Sequence, residues 1–170
     1  MRSLLLALLL SCITPLWAAE PRALTWVEMI PPDAPPQPAQ QAPLHDLSQL
    51  ADALAAESAP AATQQSPAAP VVQALDGQQV KLPGYIVPLD VTEEGRVTEF
   101  LFVPYFGACI HVPPPPSNQI VHVRSELGVL MDELSQPFWI EGPLKVEASS
   151  SDMGNAGYQM DAEKIYPYEM

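Results

Sequence analysis

Two histidines and a cysteine share one short window, GACIHVPPPPSNQIVHV, residues 107–123: Cys109, His111 and His122. Thiolate and imidazole are ligands for zinc and Cu(I). Cys109 and His111 are two apart. On a strand that spacing puts both side chains on one face, with Cα atoms ~6.6 Å apart. If Pro113–Gln119 is the loop of a hairpin, the next strand brings His122 close to Ile110 or Cys109. Water, or a carboxylate from Asp90, Glu93 or Glu126, would complete a tetrahedral set. Two other readings stay open. Free cysteine is among the most often buried residues, so Cys109 could simply pack, with the histidines facing solvent. A thiol nucleophile with His111 or His122 as base would also need an oxyanion site, for which the sequence offers no residues.

Four consecutive prolines, Pro113, Pro114, Pro115 and Pro116, lie between these candidates. They impose a stiff polyproline segment with few amide donors. That segment is either a frame holding two strands at a set distance or, with Tyr105, Phe106 and Asn118, a docking surface for a protein partner. Asn118 is expected to bond its own turn. Trp26 and Trp139 read as core.

The elements that would position this window are β-strands. LDGQQVKLPGYIVPLD carries a strand interrupted by Pro83-Gly84, a sign of a bend or an edge. RVTEFLFVPY is a second strand after the Glu93-Glu94-Gly95 turn, ACIHV a short third, NQIVHVR a fourth and FWIEGPLKVEA a fifth. SSSDMGNAG reads as a polar loop, YQMDAEKIYPY closes the chain, and Ser125–Leu134 is the one helical candidate in this part. The expected fold is all-β: a small OB-like five-stranded barrel with little helix, spanning residues 71–170.

Upstream of it the composition changes. Residues 1–19 pair one arginine with an apolar run and end in PLWAA, the pattern of a secretory signal peptide. LLSC, ending at Cys12, is close to a lipoprotein box, and lipid there would anchor the chain to a membrane. The apolar stretch continues to Trp17, which favours ordinary cleavage. The export pattern places the protein in the periplasm and leaves Cys109 as the mature chain's lone cysteine. Residues 20–32 form an arm in which Leu24, Trp26 and Met29 could dock on the domain. Residues 33–70 are a disordered Pro/Ala/Gln linker. Within it, residues 44–57 space Leu44, Leu47, Leu50 and Leu54 as a helix would, and His45 reads as solvated. The chain carries 7 basic and 20 acidic side chains, a formal net charge of −13. That balance excludes nucleic acid or anionic lipid held by bulk charge.

LDGQQVKLPGYIVPLD, TEFLFVPYFGACIHVPPPPSNQIVHV and FWIEGPLKV together resemble the exported bacterial proteins grouped as domain-of-unknown-function family 3299, as does the arm segment LTWVEMIPP. The resemblance covers residues 24–32 and 72–168. It implies a periplasmic location and, by genomic association in some proteobacteria, periplasmic or inner-membrane components of an ABC-type, zinc-responsive transport system. The expectation is a non-enzymatic accessory protein that binds zinc through Cys109, His111 and His122. The alternative is a metal-free adaptor docking through the GACIHVPPPP surface.

Overall fold

β-Branched and aromatic residues set the elements. In the computed structural model, residues 20–35, 63–109 and 112–169 are described. Nine strands carry them: β1 (Arg22–Ala23), β2 (Gln79–Val91), β3 (Arg96–Val103), β4 (Val121–Leu130), β5 (Phe138–Lys145), β6 (Ser149–Ser151), β7 (Gly154–Ala156), β8 (Tyr158–Asp161) and β9 (Lys164–Pro167). The described helix is limited to short 3-10 turns. The signal-peptide and Cys12 readings, and the helical spacing of residues 44–57 with His45, lie outside the described residues.

The main sheet runs β1-β2-β3-β4-β8-β5-β9, and β2 also pairs β5, so the pairings return on themselves. β2 makes this possible by serving two neighbours. Its first half, Gln79–Gly84, pairs antiparallel with β5, and its second half, from Tyr85, pairs with β3. Gly84 sits at the change of partner. A Cβ there would lie 2.6 Å from the Val103 carbonyl oxygen, so the close approach demands glycine. Pro83-Gly84 therefore bends one continuous strand instead of ending it.

Side-chain alternation along β3 feeds two apolar layers. Phe100 and Phe102 point into the main core with Leu82, Val121, Val123, Ile140, Leu144, Tyr158 and Met160. Leu101 and Val103 point the other way, into a second cluster with Val87, Ala108, Ile120 and Ala156. A strand buried on both faces reads as an unbroken apolar run, as FLFV does. Burying each such Phe or Leu contributes about 1.5–3 kcal/mol.

The N-terminal arm docks as its apolar spacing requires. Leu24 and Met29 are fully buried, Arg22–Ala23 pair in parallel with Val80–Lys81, and Trp26 Nε1 donates to the Pro83 carbonyl at 2.7 Å. Residues 63–70, assigned by composition to the linker, run along the domain: Gln64 donates to the carbonyls of Pro115 and Asn155, and Ala69 N–H to Ser117 Oγ.

Three local expectations are overturned. ACIHV is not a strand where it is described: Cys109 lies in a turn with φ +65°, and Ala108 and Val112 form only an isolated bridge. Ser125–Leu134 is not a helix. β4 continues to Leu130, because bulged pairing with β3 absorbs residues 125–128, and Gly128 takes φ +59° to do so. SSSDMGNAG also forms a small hairpin, β6–β7, where composition suggested only a loop.

Candidate functional site

β3 and β4 position the candidate side chains on the outer face of the sheet. Leu101 and His122 are cross-strand partners, so His122 shares the face of the second apolar cluster. It is 7% exposed. Its Nε2 lies 2.7 Å from Glu99 Oε1, and its Nδ1 lies 2.9 Å from Ser149 Oγ. Both ring nitrogens are thereby engaged. The order Glu99–His122–Ser149 has the connectivity of a carboxylate, a base and a hydroxyl nucleophile. In an acyl-transfer enzyme that order is joined by N–H donors facing the developing oxyanion. Here its direct consequence is mechanical. Among the described residues the β6–β7 hairpin pairs with no other strand, and the Ser149 contact ties it to the sheet.

Cys109 packs against the second cluster beside Tyr85, Leu89, Tyr105 and Met153. Burial pushes its thiol pKa up to about 12, so it is held as the neutral thiol at pH 7. Reactive and metal-binding cysteines need the thiolate. A non-glycine residue at positive φ also costs about 1 kcal/mol or more. The loop offsets it with a tight closure: Cys109 N–H donates to Val112 O at 3.1 Å, and Val112 N–H to Gly107 O at 3.3 Å. His111 lies outside the described residues. Among the described residues, no group of three His, Cys, Asp or Glu side chains is arranged to hold a metal ion. Of the three candidate ligands, two are described: His122 bonds Glu99 and Ser149 through its two nitrogens, and Cys109 packs in the second apolar cluster.

The proline run divides. Pro113 and Pro114 are half-buried, whereas Pro115 and Pro116 are buried. Asn118 is also fully buried and donates to the Pro70 carbonyl at 2.8 Å. Pro115 and Asn118 hold the segment at 63–70, since Gln64 donates to the Pro115 carbonyl and Asn118 to that of Pro70. Beside the run, Phe106 is 58% exposed and meets Tyr85 edge-on, with ring centroids 5.8 Å apart. Tyr105 is half-buried next to Cys109, and burial raises its phenol pKa.

Sequence reasoning missed Glu99 and Ser149 as partners of His122. Glu99 carried a signal, since alternation places it two residues before Leu101 on the same face. Ser149 carried none, because its distance from His122 is set by a hairpin that composition does not reveal.

Comparison with known proteins decides the family. A family model described as a protein of unknown function, DUF3299, matches residues 26–167. The chain belongs to the DUF3299 family. A crystal structure of a DUF3299 family protein from Pseudomonas aeruginosa PAO1 is 62% identical, with a TM-score of 0.76, over 88% of this chain and 97% of that chain. A search of curated proteins finds no match.

Proposed function

We propose that this DUF3299 protein is a non-enzymatic periplasmic adaptor that docks a protein partner, without metal, through the face formed by Tyr85, Tyr105, Phe106, Pro113 and Pro114. One observation carries the reading. A large aromatic side chain, Phe106, stands 58% exposed on a loop that is stiffened on both sides. Tyr85 braces its ring, the backbone bonds of Val112 to Gly107 and Cys109 follow it, and then the prolines. Preorganised aromatic anchors lose little entropy on binding and are the residue type that most often dominates interfaces. Supporting the scaffold, the returning order β2-β3-β4-β8-β5, with β4 and β8 parallel, is what an OB-like five-stranded barrel requires. Export rests on the leader pattern of residues 1–19. The partner class, components of a periplasmic or inner-membrane transport system, rests on the family's genomic setting.

Zinc titration of the reduced, metal-free mature chain separates this reading from the metal-binding one. The adaptor reading expects no saturable binding at micromolar zinc. One zinc per chain, weakened by Cys109→Ser and by His122→Ala, would replace it with a zinc-handling function.

A further inference from the structure

Residues 63–70 cross the domain surface as a strap. They belong to no strand or helix, and only Gln64 and Ala69 are half-buried, the rest being exposed. A segment with so little apolar burial is held mainly by its hydrogen bonds and is among the first parts of a fold to open. Just downstream the chain is fixed, where Val72 N–H donates to the buried Tyr158 Oη at 2.8 Å. The strap can therefore lift about Pro70 and Val71 while the core stays closed.

The floor beneath the strap is built to bond main-chain atoms. Ser117, Asn118 and Gln119 are consecutive polar residues, each no more than 3% exposed. Ser117 N–H donates to Ser66 O at 3.2 Å, Ser117 Oγ accepts Ala69 N–H at 2.9 Å, and Asn118 Nδ2 donates to Pro70 O at 2.8 Å. Asn155 Nδ2 adds a 3.4 Å bond to Pro67 O. One side chain of the strap is read directly. Gln64 exchanges two bonds of 2.8 Å with the main chain of Asn155, as a neighbouring strand would along β7, and donates to Pro115 O at 2.9 Å.

The strap is also strained. Ser66 sits at φ +52°, in the left-handed region that favours glycine. The bond it receives from Ser117 goes to its carbonyl, which a glycine would supply equally.

We propose that this groove is a peptide-binding site whose tethered occupant, residues 63–70, is displaced by a partner segment of the type Gln-x-Gly-Pro-x-x-Pro. The glutamine takes the Asn155 edge, and the glycine takes the left-handed position without strain. The two prolines fix φ and so reduce the entropy lost on docking. The strap competes at the high effective concentration of an intramolecular group, which damps partner binding until the strap is weakened. None of these bonds involves Phe106, so the inference is independent of the adaptor reading.

The test is fluorescence anisotropy of a labelled peptide of residues 63–71 carrying Ser66→Gly, titrated with the full mature chain. Binding should be saturable, and about tenfold tighter to a Gln64→Ala chain, whose own strap has lost three hydrogen bonds. Ser66→Gly in the chain should act the other way and weaken the peptide about threefold, because it relieves the strap. A peptide that also carries Gln64→Ala should bind about tenfold more weakly than its parent. Phe106→Ala should change peptide affinity less than twofold, which keeps this test separate from that of the adaptor face. Four results would each overturn the proposal. They are no saturable binding to the Gln64→Ala chain, equal affinity of that chain and the wild type, unchanged or tighter binding to the Ser66→Gly chain, and loss of binding in Phe106→Ala.

Discussion

Glu141 shows how single side chains carry charge into this fold. It is almost fully buried, accepts Tyr166 Oη–H at 2.6 Å and pairs with Lys164 Nζ at 3.0 Å. The Tyr166 bond, with help from Lys164, holds the Glu141 carboxyl below its ordinary pKa, while the same bond pushes the Tyr166 phenol up to about 12. A depressed carboxylate pKa stabilises the fold above the unfolded value of about 4.3, and that stability is lost as pH falls through the lower folded value. A raised phenol pKa stabilises below the unfolded value of about 10 and is lost as pH rises through about 12. Urea midpoints measured against pH should therefore fall in acid below about pH 4.3 more steeply for the wild type than for Glu141→Gln. Equal slopes would show that the pair contributes nothing. None of this was legible in the sequence, because Glu141, Lys164 and Tyr166 meet only through the β5–β9 register. Cys109 and His122 were legible as residues and not as a pair. The spacing argument assumed a strand at ACIHV, and the positive φ of Cys109 removes it.

Among the elements, the N-terminal arm was the most readable. Its apolar positions, Leu24 and Met29, are the ones that the core takes up. What locks it could not be read, since the Tyr158 hydroxyl comes from far along the chain. Tyr158 is fully buried, accepts the Val72 N–H at 2.8 Å and donates to the Met29 carbonyl at 2.8 Å. Tyr158→Phe would leave a part-buried N–H and a buried C=O unpaired, at about 1–3 kcal/mol each. The variant should lose about 2–5 kcal/mol of stability in chemical denaturation and expose residues 22–30 to faster amide exchange, while β3 and β4 keep their protection. Unchanged exchange in the arm would mean that its apolar contacts alone hold it. The strands outside the loop were broadly recognisable from alternation and turn residues. The β6–β7 hairpin and the extension of β4 were not. Both depend on partners, His122 for the hairpin and the bulged β3 pairing for β4, that local sequence does not encode.

At the scale of the whole molecule, the mainly β architecture was foreseeable because short apolar runs alternate with Gly, Pro and acidic turns over residues 71–170. The function was not legible in the sequence beyond the family it belongs to. The motif that drew attention for its ligand chemistry is, where described, a stiff packed loop whose accessible feature is an aromatic ring. If that ring is an anchor, a photo-cross-linking amino acid placed at position 106 of the full chain, residues 1–170, produced in cells, should give one discrete adduct with another protein. The adduct should persist in the presence of a zinc chelator and be missing when the reporter stands at Glu93 in the β2–β3 turn. No adduct at position 106, or one that the chelator abolishes, would contradict the account.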